Sequence, residues 1–196
     1  MASQLVLASG SPYRKALLER LGLPFEVVVA GVDESIHPGE TPAQLVQRLA
    51  QEKAFAVAAS RSGACIIGSD QLAVCGQQIL GKPGSVERCV EQLLACSGRC
   101  VEFLTAVAVI RPGAETAGLH VDSTEVRFRT LGQGEVERYV EVERPFDCAG
   151  GFKCEGLGIA LFEAIRSEDP TALIGLPLIW LATTLRSEGL DPLAAP

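Results

Sequence analysis

Two acids and three lysines carry most of the chemistry this sequence offers. Asp70 closes the apolar run Cys65-Ile66-Ile67-Gly68-Ser69-Asp70. An aspartate at the end of a buried strand is costly unless it opens into a cleft, so it is a candidate to ligate a metal or activate water. The plain alternative is a solvated acid at a turn. Glu34, in the polar stretch "VDESIHPGE", can share a hard divalent ion with it, or can simply be solvated. Positive charge in this chain is mostly arginine; the lysines are Lys15, Lys53, Lys82 and Lys153. Against that background Lys53 in "RLAQEKA" and Lys82 in "LGKP" hint at required positions, although each can equally be a surface residue.

The stretch "LASGSPYRKALL", Leu7 to Leu18, adds a candidate phosphate grip. A strand that runs through small residues into a helix start offers unpaired backbone N–H groups and the positive end of the helix dipole. Arg14 in the first turn can fork onto phosphate oxygens. The pattern matches no standard phosphate-loop motif, so a tight turn before an ordinary helix stays open. Tyr13 is four residues before Leu17 and either extends that helix's apolar stripe or presents an aromatic face. Near the other end, "CAGGFKCEGLG" carries glycines at 150, 151, 156 and 158. Such density marks backbone close to a ligand or bulges at a sheet edge. Lys153 and Glu155 are two apart, so an extended segment would project both to one face.

These residues need a scaffold, and the pattern of the chain predicts one. "QLVLA" reads as a buried strand, followed by Ser11 as N-cap, Pro12 at the first helical position and a stripe of Leu17, Leu18 and Leu21 ending at Gly22. "FEVVVA" is a second strand. Thr41 and Gln44 form a capping box around Pro42, opening a helix to about Ala59. A strand ending on Asp70, a hairpin around Gly76 and a helix from Val86 to Cys96 come next. "VEFLTAVAVI" and "HVDSTEVRFRTL" are long strands that look antiparallel; helices follow in "GQGEVERYVEV" and "LPLIWLATTLRSEG". The order predicts an α/β fold with a mixed, twisted sheet flanked by helices.

Composition narrows the function classes. A chain of 196 residues with 47% hydrophobic and 21% charged residues is expected to be a soluble globular protein, read here as a single domain over 1–196. No apolar run approaches the roughly 20 residues of a membrane helix, and "MASQLVLASGSP" has no basic leader. The seven cysteines form no C-x-x-C pair, which points to thiols in a reducing cytoplasm rather than zinc. A net charge of −7 argues against a nucleic-acid polymer as partner but admits a small anion where cations converge.

Taken in order, "LVLASGSPYRKALLERLG", "VDE", "LAQEKA", "IIGSDQ", "GKP", "CAGGFKCEGLG" and "GLPL" resemble the Maf proteins, nucleoside triphosphate pyrophosphatases related in fold to the inosine triphosphatases. The resemblance runs from Leu5 to about Arg186. It implies two lobes around a central cleft, a homodimer, and hydrolysis between the α and β phosphates of a nucleotide with Mg2+ or Mn2+. Asp70 matches the family's proton acceptor, with Lys53 and Lys82 beside it in the catalytic set. Glu34 and Asp70 match its metal-binding acids, and Ser9 and Arg14 its phosphate-binding residues.

Tyr13, Gln71 and the Phe152-Lys153-Cys154-Glu155-Gly156 segment are similar to the branch acting on 7-methyl-GTP, which makes Tyr13, Gln71, Lys153 and Glu155 substrate-binding. The chemistry agrees. A 7-methylguanine base is cationic and attracted to an aromatic face. Glu155 can accept from its N1–H and exocyclic amine, whereas a thymine edge would set carbonyls against the carboxylate. Two other readings remain at this stage: a pyrophosphatase of the same mechanism preferring dTTP, UTP or other modified nucleotides, and a non-enzymatic regulator of septum formation.

Overall fold

Gln4–Leu7 forms the first strand, β1, because its apolar residues are buried on both faces. The structure is a computed structural model and describes residues 4–194; the reading of the first three residues as free of a basic leader lies outside them. Helix α1, Pro12–Glu19, starts as its sequence predicts, with the Ser11 side chain accepting from the Arg14 N–H and proline in the first turn. Such a cap contributes about 1 kcal/mol. Strand β2 is Phe25–Val27, shorter than the apolar run around it. Helix α2, Pro42–Ala58, opens on the complete Thr41–Gln44 capping box.

Strand β3 spans Ala64–Cys75 and turns through Gly76 and Gln77 into β4, Gln78–Leu80. Gly76 takes the left-handed φ of 66° that such a turn needs. Helix α3 is Val86–Cys96, β5 Cys100–Ile110, β6 Ala117–Phe128 and α4 Gln133–Glu143. Short 3₁₀ turns at Ala149–Gly151 and Leu157–Leu161 precede β7, Phe162–Arg166, and α5 is Leu178–Ser187.

The seven strands form one sheet in the order β2-β1-β3-β5-β6-β7, with β4 on β3. β1 is parallel to β2 and β3, while β3/β4 and β6/β7 are antiparallel, so the sheet is mixed as predicted. Two expectations are corrected. Asp70 does not end its strand, because the buried residues Leu72 to Cys75 carry β3 onward. Lys153 and Glu155 do not share an extended face, because residues 154–156 form a turn.

The chain divides into two compact units. Among the described residues, the first holds 4–70, Thr105–Asp122 and 169–194; the second holds Gln71–Leu104 and Ser123–Glu168. The core of the first unit is aliphatic, packing Leu17 and Leu18 of α1 against Leu5, Leu7, Ile67, Val107, Leu181 and their neighbours. In the second, Phe103, Phe128, Phe152 and Phe162 pack edge-to-face with ring centroids 4.7–5.7 Å apart, a geometry that favours aromatic pairs.

Candidate active site

Helix α2 buries Leu45, Val46, Leu49, Ala50, Lys53, Ala54 and Val57 along one stripe, so Lys53 occupies a position that an aliphatic residue would ordinarily fill. Lys53 is 8% exposed. A buried ammonium needs compensating charge, and it has two partners. Its Nζ lies 2.7 Å from Asp70 Oδ1 and 2.6 Å from Glu34 Oε1. Asp70 comes from the middle of β3 and Glu34 from the loop before α2.

The close approach of α2 and β3 depends on Gly68. A Cβ there would overlap the Ala50 carbonyl oxygen and stand 2.7 Å from the Ala54 nitrogen. Only glycine lets the strand pass the helix at this separation, two residues before Asp70 and opposite the turn that bears Lys53.

Arg14 joins the group from α1. Its Nε donates to the Gly175 carbonyl at 3.0 Å and its Nη1 to Ser9 Oγ at 3.3 Å. Burial lowers its pKa from the ordinary arginine value, and the charges of Asp70 and Glu34 work in the opposite direction. The Gly175 carbonyl also accepts from the buried Ser69 hydroxyl at 3.0 Å, so one oxygen ties Arg14 to the residue before Asp70.

That carbonyl is in turn held by a local knot. Asp169 is 3% exposed and accepts from the Thr171 and Ile179 N–H groups at 2.8 and 2.7 Å. Thr171 Oγ1 accepts from the Leu178 N–H at 2.9 Å. Within the first unit, therefore, Ser9, Arg14, Glu34, Lys53 and Asp70 are brought together. Tyr13 remains half-exposed on α1.

The Glu34 loop is fixed by Arg48, which sequence reasoning did not single out. Its guanidinium forks onto Glu40 at 2.7 and 2.9 Å, donates to the Ser35 carbonyl at 2.9 Å and meets Glu52 at 3.1 Å. The fork holds the Glu40 carboxyl down at about 2, against an ordinary value of 4.5. A depressed acid contributes stability that is complete above its unfolded pKa and is lost as pH falls towards its folded one. Urea unfolding of the parent and of Arg48→Gln from pH 7 downward should therefore show a stability gap that is full above about 4.5 and closes towards about 2. A gap that does not change with pH would exclude this account.

The second unit carries the other candidates. Gln71 is half-buried on β3, and Lys82 is exposed just after β4. Glu155 is exposed, and its Oε2 lies 3.4 Å from Cys154 Sγ. Lys153 Nζ donates to the main-chain oxygen of Glu143 at 3.0 Å.

The donor set of the first unit fits a hard divalent ion, since Glu34 and Asp70 both direct carboxylate oxygens at one cation, the ammonium of Lys53. Among the described residues no three His, Cys, Asp or Glu side chains form a fuller cage. Two carboxylates are what a magnesium-type ion uses when substrate phosphates and water complete its shell. No helix among the described residues is long and apolar enough to cross a membrane.

The mixed sheet thus carries a capped helix start beside an arginine and two acids sharing a lysine. The chain belongs to the Maf-like protein family, whose model matches residues 4–188. It is 55% identical over 188 residues to a 7-methyl-GTP pyrophosphatase of Xanthomonas axonopodis, covering 96% of this chain and 98% of that one. Proteins of the same name from Idiomarina loihiensis and Bordetella pertussis are each 50% identical, over 98% and 97% of this chain and 98% and 94% of theirs. A HAM1 protein from Coxiella burnetii shares the fold, with a TM-score of 0.50 at 14% identity over 94% of this chain and 99% of that one.

Proposed function

We propose that this protein is a nucleoside triphosphate pyrophosphatase that hydrolyses 7-methyl-GTP to 7-methyl-GMP and pyrophosphate, clearing a modified nucleotide. The observation that carries the reading is Lys53 held between Glu34 and Asp70 beside Arg14. It occurs in a chain at least 50% identical over nearly its full length to relatives named for that activity.

In this reading Asp70 accepts the proton of the attacking water while Lys53 keeps its carboxylate oriented. Arg14, with Nε already anchored on Gly175, turns the rest of its fork to phosphate oxygens, helped by Ser9 and the N-terminus of α1; Lys82 is assigned to the catalytic set by the family resemblance. Charge that develops on the leaving pyrophosphate meets these preorganised cations. Glu34 and Asp70 would hold a Mg2+ or Mn2+ ion, which supplies further positive charge to the phosphates when bound. The family resemblance assigns Tyr13, as an aromatic face for a cationic base, and Gln71 and Glu155, as polar groups, to recognition of the base.

A cytoplasmic setting is supported by the seven cysteines, none of which is in a disulfide; a homodimer rests on the family alone.

Pyrophosphate release from a nucleotide panel with magnesium or manganese tests the reading. The expected kcat/KM for 7-methyl-GTP exceeds that for dTTP and UTP by about tenfold or more, since their edge sets carbonyls against Glu155, and it exceeds that for GTP because only the methylated base is cationic against an aromatic face. A preference for dTTP or UTP would move the protein to the pyrimidine reading, and no release from any nucleotide would favour the regulator. Glu155→Gln should lower the preference by about tenfold to a hundredfold, the worth of one bidentate base contact. Equal loss on every nucleotide would remove Glu155 from base reading.

A further inference from the structure

The loop that carries Glu155 is tied down on both sides of that residue, and the ties come from α4. Before it, Phe152 is sunk in the phenylalanine cluster, 4.7 Å from Phe162 and 5.2 Å from Phe103 between ring centroids. The next residue is held twice. The Lys153 N–H donates to Tyr139 Oη at 3.0 Å, and the Lys153 ammonium donates to the Glu143 main-chain oxygen. Glu143 is the last residue of α4, where helix carbonyls lack intrahelical partners and the dipole favours a cation.

After Glu155, the Leu157 N–H donates to Glu143 Oε1 at 2.7 Å. The glycines between these points are there for want of room. A Cβ on Gly156 would stand 2.7 Å from Glu143 Oε1, and one on Gly158 would overlap the Lys153 carbonyl and come within 3.1 Å of Tyr139 Oη. Tyr139 itself is 3% exposed, and a buried phenol needs the hydrogen-bond partner that it finds here.

We propose that Tyr139 and Glu143, with the ammonium of Lys153, are positioning residues that set the Glu155 carboxylate for base selection. This assigns Lys153 to the loop's architecture instead of to contact with substrate, and it rests on the reading that Glu155 recognises the base. A carboxylate that accepts two hydrogen bonds from one base edge must be placed to within about 0.5 Å. Glu155 is on an exposed turn and cannot be so placed by its own packing. The three hydrogen bonds to α4 that flank it supply that constraint, and none of their acceptors takes part in the phosphate chemistry.

The test measures KM and kcat for 7-methyl-GTP in Tyr139→Phe, which keeps the packed ring, and in Glu143→Ala, Glu143→Gln and Glu155→Gln, alone and combined. Tyr139→Phe and Glu143→Ala should each raise KM about fivefold to tenfold, the scale expected when a contact is misplaced by a fraction of an ångström, with kcat within about twofold. Glu143→Gln, which keeps an oxygen for the Leu157 N–H, should restore KM. In the Glu155→Gln background neither change should add a further loss.

If Glu155→Gln alone leaves KM and the preference for 7-methyl-GTP unchanged, base reading by Glu155 falls, and the positioning role falls with it. If Glu155→Gln acts but Tyr139→Phe and Glu143→Ala do not, the positioning role alone is overturned. It is also overturned if their losses add in full to that of Glu155→Gln, because they would then be merely structural.

Discussion

Asp70→Asn protein, assayed for pyrophosphate release at saturating nucleotide and metal, is expected to turn over about 10²- to 10⁴-fold more slowly than the parent, the usual worth of a positioned general base. The substitution preserves shape and leaves an amide oxygen able to accept from Lys53 Nζ, which stands 2.7 Å from Asp70 Oδ1 in the parent. Glu34 still faces the ammonium at 2.6 Å, so the lysine is not left as a bare buried charge. The loss should therefore appear in kcat while the folded state persists, which a thermal melt alongside the assay would check. Full turnover by this variant would remove Asp70 from the mechanism.

The second large effect needs no charged residue. Gly68→Ala adds one methyl group where the Ala50 carbonyl and the Ala54 nitrogen already fill the space. Overpacking of this kind costs about 1–3 kcal/mol, or roughly 2–12 °C in the melting midpoint of a chain this size. Its functional cost should be greater. Pushing α2 from β3 moves Lys53 relative to Asp70, and a shift near 1 Å in a reacting constellation costs about 10²-fold. A Gly68→Ala protein with the parent's midpoint and turnover would show that α2 and β3 tolerate separation and that Gly68 has no part in aligning the site.

Much of the scaffold could be read from local signals. The caps at Ser11 and Thr41 start their helices where predicted, and α3 covers the predicted span, because each signal is a short-range hydrogen-bonding requirement. The misreadings have physical causes. Asp70 resembled a strand end because periodicity does not distinguish a polar residue inside a strand from its terminus, whereas the apolar residues after it continue the ladder. Strand β7 went unseen because five residues of mixed polarity after a glycine-dense loop give little pattern. The short β2 ends at Val27 although apolar residues continue past it.

In the site, Glu34, Lys53 and Asp70 were singled out by type, yet the lysine's place in the apolar stripe of α2 was a stronger signal than its rarity. Contacts such as Arg14 with Gly175, 161 residues apart in sequence, have no local trace at all. Nor do Arg48 with Ser35 or Tyr139 with Lys153 announce themselves, because a charged or aromatic residue on a helix looks the same whether it is solvated or engaged.

The ammonium of Lys53 between Glu34 and Asp70 has a consequence for supply. Two carboxylates gathered at one point by different elements repel each other, and a protein relying on an outside ion to quiet them would assemble only where that ion was plentiful. This chain brings its own counter-charge on α2, the ammonium that both acids face. The supply of positive charge to these two acids is thus set by the fold itself, through one side chain of α2.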